Sequence, residues 1–160
     1  MIFTGNGDRG RSNIINQKGI YKDDIVFDVL GTIDELSANL ALAKAYGDGE
    51  LKSEIESIQR ELVSVAAYFA GGDLFAFAAA TKMTEKKILQ CGDDELAEFS
   101  IGDGNVCAAH IDIARAVCRR LERAVVRYTK NRDSAYETVA YFNRLSDYLF
   151  ALARREEKKI

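Results

Sequence analysis

Not one of the 160 residues is proline. No backbone amide donor is therefore lost and no ring clashes with a preceding turn, so long unbroken helices are open to this chain throughout. The apolar residues follow the same lead. Ile33, Leu36, Leu40 and Ala43 recur at spacings of three and four, and Gly47 to Gly49 closes that segment. A second helix is predicted over Glu50–Ala70, carrying Leu51, Ile55, Ile58, Leu62, Val65 and Phe69 on one face and stopped by Gly71-Gly72. A short third covers Phe75–Leu89. Cys91–Asn105, with Gly92, Gly102 and Gly104, reads as a loop with one helical turn around Asp94 to Phe99. Two long helices follow, Val106–Lys130 and Ser134–Lys158, and the short Asn131–Asp133 turn makes them antiparallel neighbours. No segment shows the alternation of a strand. The expectation is an all-α, up-down bundle of five helices of ferritin-like kind, in a single domain over 1–160, with a polar, glycine-containing segment at 1–26 and the bundle over 27–160.

Composition narrows the function classes. A net charge of −3 gives no reason to expect a nucleic-acid binder, so any phosphate chemistry must come from a local basic patch. No apolar run approaches the roughly 18 residues of a membrane span, and the first residues lack the basic-then-apolar order of a secretory signal. Cys91, Cys107 and Cys118 are odd in number and lack C-x-x-C spacing. They point to reduced thiols in a cytoplasmic protein, packed as small hydrophobes, and not to disulfides or zinc.

The fourth helix carries the strongest local charge pattern. At 100° per residue, Val106, His110, Ile113, Val117, Leu121, Ala124 and Tyr128 fall on one side, where His110 reads as a core residue. Asp112, Arg115, Arg119, Glu122 and Arg123 share an arc on the other, flanked by Arg120 and Arg127. Arginines on successive turns repel one another unless an anion lies across them. From the helix alone, a solvated face or ionic subunit contact and a polyphosphate clamp of bidentate guanidinium forks stand equal. On the fifth helix Val139, Phe142, Leu145, Leu149 and Leu152 form the apolar face, while Asn143 and Asp147 stand one turn apart on another. A hydrogen-bonding role fits Asn143, and so does simple exposure to solvent.

The N-terminal T-G-N-G-D-R-G-R-S, Thr4 to Ser12, contains G-x-G-x-x-G, but that fingerprint needs a preceding strand and a following helix, and neither is predicted. There is no G-K-[ST], which excludes a Walker loop. What remains is a flexible backbone whose amides can approach an anion, with Thr4, Asn6, Arg9, Ser12 and Lys22 as donors. A frayed terminus is the competing reading.

Taken together, N-G-D-R-G-R-S with Y-K-D-D, G-T-I-D-E-L-S at Gly31 to Ser37, A-R-A-V-C-R-R-L-E-R and Y-F-N-R-L-S-D-Y-L-F-A-L-A-R resemble, in order, the PduO-type ATP:cob(I)alamin adenosyltransferases. The resemblance implies a homotrimer with ATP and corrinoid at each subunit interface. It implies that Thr4, Gly5, Asn6, Gly7, Asp8, Arg9, Gly10, Ser12 and Lys22 surround the ATP phosphates. Arg119, Glu122, Arg123 and Asn143 would hold the rest of the nucleotide and its Mg²⁺, with Glu122 as a candidate metal ligand. Asp34 would pair with Arg115 of a neighbouring subunit near the corrinoid. Phe99, sixteen residues before Arg115, would help exclude water and the lower axial ligand from cobalt. The catalytic set is then Arg115, Arg119 and Phe99.

The implied reaction has Co(I) of reduced cob(I)alamin attacking the 5′-carbon of ATP, giving adenosylcobalamin and triphosphate. Cobalt is the nucleophile, so no general base is needed. The protein supplies in-line positioning and neutralises charge on the leaving triphosphate. A flavin-type reductase and an adenosylcobalamin-dependent acceptor enzyme would be partners. Val26, Leu30, Ser37 and Asp112 depart from the commonest family pattern of arginine, tyrosine, asparagine and histidine, and S-I-G-D-G after Phe99 replaces a proline-glycine-glycine form. These departures bear on nucleotide affinity and corrinoid-loop geometry. Val26 and Leu30 motivate an alternative, a non-catalytic relative that binds adenosylcobalamin or delivers it to a partner. A purely structural helical scaffold is a third reading.

Overall fold

The computed structural model describes residues 3–92, 104–130 and 135–159. A short antiparallel hairpin comes first, β1 (Arg11–Ser12) and β2 (Ile20–Tyr21), with Arg11 opposite Tyr21 and Ser12 opposite Ile20. Asp24 then starts α1 (Ile25–Tyr46): its carboxylate accepts from the Val26 amide at 2.9 Å, satisfying a donor the first helical turn leaves over. Asp48 does the same for α2 (Gly49–Phe69) through the Leu51 amide, and Asn105 for α4 (Val106–Thr129) through the Ala108 amide, each at 2.9 Å. The remaining helices are α3 (Phe77–Gln90) and α5 (Ala135–Glu157).

The helices pack α2 on α1, α1 on α4, α4 on α5, and α5 on α3. Three ion pairs and one hydrogen bond fix the directions. Asp28 and Glu35 of α1 meet Arg127 and Arg120 of α4, and Asp112 and Glu122 of α4 meet Arg154 and Asn143 of α5, so both pairs run antiparallel. Leu36, Leu40, Leu51, Ile55, Leu121 and Leu149 are fully buried in one continuous core. Each contributes about 1.5–3 kcal/mol over an exposed position. Tyr141 and Tyr148 of α5 reach α2 with their hydroxyls, donating to Glu61 and Glu54 at 3.2 Å in each case.

The predicted helices form at nearly the predicted limits, and α1 begins slightly earlier, at Ile25. Three expectations need correction. A strand pair is present, too short at two residues per strand for alternation to register. The buried side of α4 is rotated from the predicted one: Val117, Leu121 and Ala124 are buried as predicted, but Val106 and Ile113 are exposed, and Cys107, Ile111, Ala114, Cys118 and Val125 complete the core side. The reason is that α4 packs against both α1 and α5, so small alanine and cysteine side chains face inward where the helices approach closely. His110 is only half-buried and stacks on Tyr46, with ring centroids 5.7 Å apart. Cys107 and Cys118 are buried as expected, whereas Cys91 is half-buried. Phe99, most of the Cys91–Asn105 loop and the Asn131–Asp133 turn lie outside the described residues.

Candidate functional site

The N-terminal loop folds into tight turns, with the Asp8 amide donating to Gly5 O at 3.2 Å and Gly10 to Gly7 O at 3.3 Å. Gly5 and Gly10 sit at φ +69° and +71°, where a side chain would be strained. At Gly7 the demand is for space: an added Cβ would lie 2.9 Å from Lys22 Nζ. The Lys22 ammonium therefore rests against the loop backbone, and the Lys22 amide closes the hairpin onto Gly10 O at 2.9 Å. Arg11 is committed to structure, its guanidinium stacked 3.7 Å from the Tyr21 ring centre and donating to Gly19 O at 2.8 Å. Arg9 and Lys22 form no ion pair among the described residues. Thr4, Asn6, Asp8 and Arg9 are exposed and Ser12 half-buried around them. The hairpin tip is anchored: the Ile15 amide donates to Ala70 O at 2.8 Å, and Asn16 lies against Gly71.

On α4 the arginines divide by their partners. Arg120 pairs with Glu35, Arg127 with Asp28 and Arg115 with Asp112. Arg119 and Arg123 are exposed and form no ion pair among the described residues. Two guanidiniums one turn apart with no carboxylate beside them suit an anion site, since each can offer a fork of donors to the same anion. Arg115 and Arg119 face a common groove of about 570 Å³ between α3, α4 and α5, lined also by Leu89, Arg144, Asp147 and Phe150. One turn further along, Glu122 Oε1 accepts from Asn143 Nδ2 at 3.3 Å, bringing two predicted site residues from separate helices together.

Arg144 and Phe150 were not singled out from the sequence. Arg144 donates to Glu85 at 3.2 Å and to Asp147 at 2.6 Å, so Asp147 serves this arginine rather than standing with Asn143. The i, i+3 spacing of Arg144 and Asp147 was the available signal. Asp34 is exposed in a separate notch between α1 and α2, with Leu30, Ser37, Gln59 and Val63. It forms no ion pair among the described residues, and within one chain it does not meet Arg115, whose Nε donates to Asp112 at 2.9 Å. Glu122 supplies one hard carboxylate oxygen, and among the described residues no cluster of three or more acidic, histidine or cysteine side chains could cage a metal. A Mg²⁺ arriving on nucleotide phosphates fits that arrangement, since such ions commonly need one or two protein carboxylates.

The groove holds one arginine without an ion partner among the described residues, Arg119, with Arg123 exposed one turn further on. The glycine-lysine loop lies apart from it, so this is a helical bundle whose candidate anion site lies on its flank and not in its core. The chain belongs to the cobalamin adenosyltransferase family, matching it over residues 2–156. It is 34% identical to a corrinoid adenosyltransferase of Bacillus subtilis, over 96% of this chain and 84% of that one. A corrinoid adenosyltransferase of Citrobacter freundii is 32% identical over 98% of this chain and 94% of its own length. Among solved structures, a variant of the PduO-type ATP:corrinoid adenosyltransferase from Lactobacillus reuteri, complexed with cobalamin and ATP, superposes with a TM-score of 0.89. That match has 28% identity and covers 99% of this chain and 94% of the other.

Proposed function

We propose that this protein transfers the 5′-deoxyadenosyl group of ATP to reduced cob(I)alamin, giving adenosylcobalamin and triphosphate. The observation that carries the reading is family membership over almost the whole chain, including a fold shared with a relative that holds cobalamin and ATP. The cobalt–carbon bond forms as the C5′–O bond to triphosphate breaks, with the cobalt electron pair forming the new bond. Charge then gathers on the triphosphate. Arg119 and Arg123 are the groups placed to receive it, and neither has an ion partner among the described residues. Arg115 faces the same groove as Arg119 and orients the acceptor side. Thr4 to Ser12 with Lys22 cradle the phosphates, and Glu122, held by Asn143, offers an oxygen to Mg²⁺. That ion, when bound, screens the phosphate oxygens. Phe99 is assigned to the corrinoid face on resemblance alone.

We assign the active unit as a homotrimer with interface sites. The support is that, in one chain, the hairpin that carries the loop is hydrogen-bonded through Ile15 to the end of α2, while Arg119, Glu122 and Asn143 lie on α4 and α5. Asp34 is likewise left without an ion partner among the described residues, on another flank. A neighbouring copy would bring such halves together. The three free thiols fit a reducing, cytoplasmic setting, and an external, flavin-type reductase and an acceptor enzyme for the product are assigned on the resemblance alone. The test is to mix protein, MgATP and chemically reduced cob(I)alamin and follow the absorbance change and triphosphate. Adenosylcobalamin should accumulate. ATP binding without product would overturn the assignment in favour of a carrier, and sedimentation reads the trimer.

A further inference from the structure

Asp112 lies one turn before Arg115 on α4, and its two carboxylate oxygens take different guanidiniums. Oδ1 accepts from Arg115 Nε at 2.9 Å, and Oδ2 accepts from Arg154 Nη2 across on α5. Arg115 and Arg154 in turn flank the Phe150 ring, their guanidinium carbons 5.9 and 5.2 Å from its centre. Phe150 and Arg115 are both groove residues. Arg154 is well buried and has a second carboxylate, Glu157, at 2.8 Å. Among the described residues two arginines are therefore balanced by two carboxylates, but unequally: Arg154 has both, Arg115 only Asp112.

We propose that Asp112 is the positioning residue for Arg115, fixing its guanidinium on the groove wall with the two terminal nitrogens left for Asp34 of a neighbouring copy at the interface site. Engaging Nε alone sets the plane of the fork. Nη1 and Nη2 of Arg115 have no partner among the described residues, so the tether orients the arginine without occupying the edge that would meet the neighbouring copy's Asp34 beside the corrinoid. Replacing Asp112 by asparagine leaves a single acceptor oxygen between two cations. Arg154 keeps Glu157, so Arg115 is the side chain released. The structural consequence is small because the second pair persists, and the functional one is not, because an arginine free to rotate must be ordered each time a ligand binds.

This inference rests on the adenosyl-transfer reading, so its test carries a readout independent of turnover. In Asp112→Asn, kcat/KM should fall about tenfold, mainly through KM, with the melting temperature within a few degrees of the parent. Asp112→Glu, which keeps the charge on a longer stem, should recover part of the loss. The Arg115 Nε–H resonance should be protected from solvent exchange in the parent and lose that protection in Asp112→Asn. Unchanged kcat/KM in a folded Asp112→Asn protein, or equal loss in Asp112→Glu, would overturn the proposal, as would an Arg115 Nε–H unprotected in the parent. A parent protein that makes no adenosylcobalamin yet shows the protected, Asp112-dependent resonance would sink the reaction and uphold the tether.

Discussion

Asn143 Nδ2 on α5 donates to Glu122 Oε1 on α4 at 3.3 Å, across the seam between the two antiparallel helices. The contact is long and lies at the surface, where such bonds contribute little to folding, about 1 kcal/mol or less. Its value is in aiming a carboxylate that would otherwise rotate freely. Asn143→Ala should leave the melting temperature within about 4 °C of the parent, as a loss of about 1 kcal/mol or less in a domain of this size predicts. The KM for MgATP should rise about tenfold. A large fall in stability with unchanged KM would assign the pair to the fold instead.

Arg119 is the exposed arginine that both lacks a carboxylate partner among the described residues and faces the groove. Removing a group that meets charge developing in a transition state costs about 100-fold or more in rate. Arg119→Ala should lose activity on that scale while the helical content, thermal stability and oligomeric state stay as they were. Turnover within twofold of the parent would place the anion site elsewhere.

Gly71 ends α2 at φ +84°, and a Cβ there would come within 2.1–2.3 Å of the Asn16 side chain. Gly71→Ala therefore meets two obstacles, backbone strain of about 1 kcal/mol and a clash with the hairpin tip. The expected result is a hairpin displaced from the end of α2, seen as faster proteolysis before Asp24, together with weaker nucleotide binding. Retention of the parent's proteolysis pattern and affinity would show that the anchor is dispensable.

Asp48 accepts from Lys159 at 2.7 Å and from the Leu51 amide at 2.9 Å. These bonds, the lysine's first, hold its carboxyl below the ordinary value of 3.8. A lowered folded-state value stabilises the fold above the unfolded carboxyl's pKa, and the contribution is lost as pH falls through the folded value. Asp48→Asn keeps a capping oxygen but not the charge. Denaturation midpoints of the two proteins should differ at pH 7 and converge near pH 2; a constant gap across that range would refute the linkage.

The helices were legible because periodicity and glycine stops are local signals, and Leu36, Leu40, Ile55 and Leu62 are buried as their spacing implied. The face of α4 was less so. Packing on two sides draws Cys107, Ala114 and Cys118 inward and leaves Ile113 exposed, and no one-sided hydrophobicity pattern encodes that. The hairpin escaped for a different reason, since Arg11 over Tyr21 and Ile15 on Ala70 are contacts between distant residues. At the site, sequence indicated the clustered arginines but not which were already neutralised. Glu35 and Asp28 stand far from Arg120 and Arg127 along the chain, and they make the difference between a solvated stripe and two free guanidiniums.

The hairpin anchor has a thermodynamic consequence for whatever occupies the glycine loop. Ordering a backbone residue costs about 1–2 kcal/mol. With its tip hydrogen-bonded to Ala70 and its base closed by Lys22 on Gly10, the segment is held at two points before any ligand arrives. Only the turn from Thr4 to Arg9 is left to be stilled. Binding there is closer to the closing of a short clasp than to the folding of a tail, so affinity should be set by the groups in the clasp and depend little on the length of chain behind it.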